Sequence, residues 1–75
     1  MKKFIQQTIK EKIENNETPA ISFRTRFEDM GHIQLDKHNH WGIFFNAKCV
    51  HISNTLASAV KKLDRLNVTE SDFIV

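Results

Sequence analysis

The chain has 75 residues, a formal net charge of +2, a single cysteine and no apolar run long enough to span a bilayer. These totals describe one small domain, residues 1–75, that must commit most of its apolar residues to a core, and they exclude an internal disulfide framework. The positive excess is too slight to demand nucleic acid as a partner, and "FIQQTIKEKIENN" puts Gln, Lys and Glu where a signal peptide needs an apolar centre. A cytoplasmic location without a membrane partner is therefore expected.

Residues 2–15 have the spacing of a helix, with Ile5, Ile9 and Ile13 at every fourth position and Phe4 beside them. The helix is expected to stop in "NNETP". Pro19 disfavours helical geometry at Thr18, and the two asparagines suit a terminus. In "AISFRTRF", Ile21, Phe23, Thr25 and Phe27 alternate with Ser22, Arg24 and Arg26, which predicts a half-buried strand through Phe27. "EDMG" follows as a turn, with Gly31 free to take a positive φ. "HIQLD" points Ile33 and Leu35 inward and His32 and Gln34 outward. After the turn residues "DKHN", "WGIFF" places Trp41, Ile43 and Phe45 inward, against Gly42 and Phe44. "NAK" turns the chain again, and in "CVHI" the alternation buries Val50 and Ile52 and exposes Cys49 and His51.

The period then returns to that of a helix. Leu56, Ala59, Val60, Leu63 and Leu66 make one apolar stripe, Ser53 or Asn54 is the expected N-cap, and Asn67 the expected stop. "DFIV" either adds a short strand or docks Phe73 and Val75 over the core. The sum is an α+β, two-layer domain: a four-stranded antiparallel meander with the N- and C-terminal helices packed on one face (αββββα). A winged helix needs more helices upstream than Ala20–Ile52 supplies. A double-stranded-RNA-binding domain needs a lysine cluster opening its last helix, where this chain has "SNTLAS".

Three of the four histidines, the cysteine and the tryptophan fall between Asp36 and Ser53. If His38, His40, Cys49 and His51 shared one place they would offer zinc a tetrahedral donor set. The spacing lacks the paired cysteines, or the paired histidines on a helix turn, of known structural sites, so no metal and no cofactor is expected. Nor does "HNH" at residues 38–40 build a nuclease motif, which is a spread-out ββα arrangement. His51 lies two residues from Cys49 and could activate it, but no third group or oxyanion donor can be named. No catalytic residue is expected, and the chain is read as a non-enzyme.

The expected outward face is polar and somewhat basic, with one large aromatic that the core does not need. Its binding candidates are Arg24, Arg26, His32, Gln34, His40, Phe44 and His51. Arginine and aromatic side chains are enriched at the energetic centres of protein interfaces. The expectation is a small protein-interaction module, of the kind frequent among bacterial and phage accessory and inhibitor proteins, that occupies another protein's surface through this face or through an edge strand. The alternative is nucleic-acid binding, with Phe44 or an imidazole stacking on bases and the arginines at phosphates. Homodimerisation through an edge or through Phe44 would add burial to a small core.

Overall fold

The first helix, α1 (Lys2–Glu14), buries Ile5 and Ile9 and half-buries Phe4, while Ile13 in its last turn stays 50% exposed. It ends as the asparagines predict. Asn16 takes a left-handed φ of 56°. Its N–H donates to Ile13 O (3.1 Å) and that of Glu17 to Lys12 O (2.8 Å), the paired bonds of a Schellman stop, with Asn where Gly is commoner. The second helix, α2 (Leu56–Arg65), stops the same way at Asn67 (φ 61°), where Val68 N–H donates to Leu63 O at 3.0 Å and both side chains are buried. Its N-cap is Thr55, one residue beyond the expected pair. The Thr55 hydroxyl accepts from Ser58 N–H at 3.2 Å.

These coordinates are a computed structural model that describes residues 1–74; Val75, expected over the core, lies outside the described residues. Between the helices run β1 (Ala20–Arg24), β2 (Met30–Leu35), β3 (Trp41–Phe45) and β4 (Lys48–Ser53), each antiparallel to the next. The α+β class and the four-strand meander are as the sequence predicts. The C-terminal segment adds a fifth strand, β5 (Phe73–Ile74), beside β1, giving the order β4-β3-β2-β1-β5. Both helices cover one face, α1 over β1 and α2 over β3 and β4. The core between the layers joins Ile5 and Ile9 to Ile21, Phe23, Ile33 and Ile43, to Leu56, Ala59 and Leu63, and to Val68 and Phe73. Phe23 meets Phe45 and Phe73 edge-to-face, with centroids 5.5 and 5.6 Å apart, the arrangement aromatic quadrupoles favour.

The structure corrects three expectations. First, β1 ends at Arg24, and Phe27 is exposed rather than buried. The buried Thr25 hydroxyl accepts from the N–H groups of Phe27 and Asp29, both at 3.2 Å. Local side-chain bonding thus outcompetes the ladder, and Glu28 turns the chain with φ 63°. Second, Gly31 is a strand residue without positive φ. It is small because a Cβ there would lie 2.6 Å from Phe44 O and 2.7 Å from the Phe23 ring.

Third, β4 does not keep its alternation. The two-residue turn Asn46–Ala47, both left-handed (φ 49° and 67°), sets Phe45 opposite Lys48 and Phe44 opposite Cys49. Beyond them the register shifts, and Ile43 faces His51, not Val50. Val50 is the extra residue of a β-bulge, and one extra residue exchanges the faces of everything after it. His51 and Ser53 therefore share the core side with Ile43 and Trp41, while Ile52, expected inside, is 60% exposed.

Candidate functional site: the open sheet face

The face away from the helices carries Ser22 and Arg24 from β1, Met30, His32 and Gln34 from β2, Gly42 and Phe44 from β3, Cys49 and Ile52 from β4, and Ile74 from β5. At its centre His32 and Phe44 are directly opposite each other and stack, with ring centroids 4.7 Å apart and planes 6° from parallel. Nε2 of His32 is hydrogen-bonded to Oε1 of Gln34 at 3.1 Å, which fixes the imidazole edge. The Phe44 ring leans over Gly42, whose ideal Cβ would come within 2.8 Å of it. A side chain at residue 42 would push the ring away, so the glycine and the aromatic on the same face act together. The result is a rigid, half-buried aromatic pair in the middle of a solvent-facing sheet.

The residues singled out from sequence divide into three groups. Arg24, His32, Gln34 and Phe44 come together on this face. Arg24 lies over Met30, its Nε–H donating to the thioether sulfur at 3.3 Å. His40 sits at the β2–β3 hairpin and is tied to Asp36, which accepts from the backbone N–H of His38 (2.8 Å) and His40 (2.9 Å) and lies 3.5 Å from the His40 ring. These bonds, that from His40 foremost, hold the Asp36 carboxyl below its ordinary range. Arg26 and His51 leave the face altogether. Arg26 is in the β1–β2 loop, its guanidinium 5.1 Å over the Phe27 ring, and it lines a depression with Asp64 of α2 and Asp72 of the turn before β5. His51 is turned to the core side by the bulge, and its Nε2 is buried without a hydrogen-bond partner.

The same bulge separates the other candidate pairings. Cys49 stays on the open face, its thiol donating to the His51 carbonyl at 3.6 Å, while the His51 ring points the other way. His38 and His40 are neighbours in the turn, with centroids 6.2 Å apart. The four possible donors are not brought to one place, and among the described residues no three His, Cys, Asp or Glu side chains gather closely enough to share an ion. No described helix is long and apolar enough to cross a membrane.

No protein-family model, no curated protein and no solved structure matches the chain. The site must therefore be read from its own chemistry.

That chemistry is more apolar than the alternation predicts. Met30, Ile52 and Ile74 are exposed on the open face, and Val50 is exposed at its bulged rim. Met30 and Ile74 lie at the limits of their strands, where the pattern gives no assignment. Ile52 and Val50 were hidden by the bulge. The strands bring one arginine and no carboxylate to the face.

Proposed function

We propose that this chain is a non-catalytic protein-interaction module that presents its open sheet face to another protein. The observation that carries the reading is the composition of that face. A stacked His32–Phe44 pair is surrounded by exposed Met30, Ile52 and Ile74, and among the described residues Arg24 is the one formal charge that the strands bring to this face. An aromatic centre with methionine and arginine close by, and depleted of other charge, is the composition of a protein interface core. The β4 edge is a poorer contact, because its bulge and the lysine at its start are devices that blunt strand addition.

Nucleic-acid binding is the weaker reading on the same geometry. It asks for several cations tracking a backbone and free aromatic faces, whereas Arg26 and His51 are directed elsewhere and His32 already occupies one face of Phe44. Capture from a lysate with the native chain and with Ile52→Glu tests the proposal. Ile52 is exposed, so the substitution spares the core. A stoichiometric protein retained by the native chain and lost with the variant is the expected result. Equal recovery on both removes the face from consideration, and retained nucleic acid that elutes steeply with salt favours the second reading.

A further inference from the structure

In β4 the adopted register and the chemistry of the side chains disagree. The bulge at Val50 turns His51 to the core side, where its Nε2 is buried with no hydrogen-bond partner. It also leaves Val50 39% and Ile52 60% exposed. A polar atom lies inside unsatisfied while two apolar side chains stand in water. A conflict of this kind between local pattern and adopted structure narrows the gap to competing arrangements. Strand β4 is also paired on one side only, so fewer bonds must break for it to move.

The competing arrangement follows from the same turn. With Asn46–Ala47 and the pairing of Phe44 with Cys49 kept, closing the bulge sets Ile43 against Val50, Gly42 against His51 and Trp41 against Ile52. Ile43 and Trp41 are core-side residues of β3, so Val50 and Ile52 turn inward. His51 turns out beside Phe44, whose ring leans over Gly42. One residue is released, and Ser53 joins the exposed Asn54–Thr55 link before α2.

Charge on the ring separates the two registers. A protonated imidazole carries an N–H at both nitrogens. In the bulged register the N–H at Nε2 is buried with nothing to receive it, and no neighbouring group offsets the charge. From β3, Ile43 and Trp41 share its side of the sheet. Helix α2, which packs over β4, buries Leu56, Ala59 and Leu63. Its Lys61, Lys62, Asp64 and Arg65 make no ion pair or hydrogen bond with the ring among the described residues. Lys48, at the start of β4, is exposed and of like charge. In the closed register the charged ring reaches water.

We propose that β4 is a two-register strand switched by His51: bulged when the ring is neutral, closed when it is protonated. Ile52 then leaves the open face and an imidazolium takes its place beside Phe44. The change of register depends on β4 alone; its consequence, release of a bound protein in acid, rests on the open face being the interface. An imidazole in water takes up its proton at about pH 6.5. Below that point each unit of pH raises the ratio of closed to bulged register by about tenfold, since one form binds a proton that the other does not.

NMR on the whole chain from about pH 8 to about pH 5 spans the imidazole range and tests this directly. Cross-strand contacts between Ile43 and His51 are expected to give way to Ile43–Val50 and Trp41–Ile52 contacts as the pH falls. His51→Gln and His51→Leu, neither of which titrates, should each keep one set of contacts throughout, and circular dichroism checks that they fold. Ile43–His51 contacts that persist to the acid end overturn the proposal. So does global unfolding without the second register, or a pH response retained in both variants, which would assign it to His32, His38 or His40. If the register changes but a captured protein stays bound in acid, the switch stands and the open face is not the interface.

Discussion

Strands β1 and β4 carry equally clear alternating patterns in sequence, yet only β1 obeys its pattern. In β1, Ile21 and Phe23 are buried and Ser22 and Arg24 exposed, in continuous register with β2 on one side and with β5 on the other. In β4, a strand paired on one side only, Val50 and Ile52 are exposed and His51 turns inward. Alternation reports which side chains share a face only while the register is unbroken, and a strand held on both sides has less freedom to insert a residue than one at an edge.

The widest gap between the two strands should be in stability. Phe23→Ala removes a fully buried ring that touches Phe45 and Phe73 and fills the space above Gly31. Such truncations cost about 3–5 kcal/mol, enough to unfold much of a small domain. Ile52→Ala in β4 should stay within about 0.5 kcal/mol, as exposed substitutions do. Urea denaturation of the pair measures the contrast, and equal losses would mean that Ile52 is buried and the bulge absent.

A sharper probe is His51→Leu. If the imidazole faces water, the change should be neutral or slightly harmful. With Nε2 buried and unpartnered, replacement by an apolar side chain relieves an unsatisfied polar atom, and stability should rise by about 1 kcal/mol. The same denaturation experiment reads the sign. The smallest effect concerns the turn that feeds β4. Ala47 holds a left-handed φ of 67°, and Ala47→Gly should stabilise by about 1 kcal/mol or less, since an L side chain is disfavoured in that region and the more flexible unfolded chain offsets part of the gain. A thermal melt showing a lower midpoint for this variant would contradict the two-residue turn and the pairing of Phe44 with Cys49 that it sets.

Much of the fold was legible in the chain because the signals are local. The four-residue spacing of Ile5 and Ile9 and the stops at Asn16 and Asn67 lie within one or two helical turns, and each is satisfied by bonds inside its own helix end. The candidate site was legible at Arg24, His32, Gln34 and Phe44, which lie on strands whose register holds. It was illegible at His51, because nothing in "CVHI" announces an extra residue, and at Arg26, because the hydroxyl that ends β1 resembles any strand threonine until its bonds are seen. The exposed Phe27 was missed for the same reason.

The sequence by itself determined two amphipathic helices, their ends and three strands with one oily side each, since each property depends on residues two to four positions apart. Tertiary structure decided where β1 stops, which way β4 turns its side chains, that Phe73 and Ile74 join the sheet beside β1, and why residue 31 must be glycine. These depend on cross-strand register and on the space left between Phe23 and the Phe44 backbone, quantities that exist only once distant segments lie side by side.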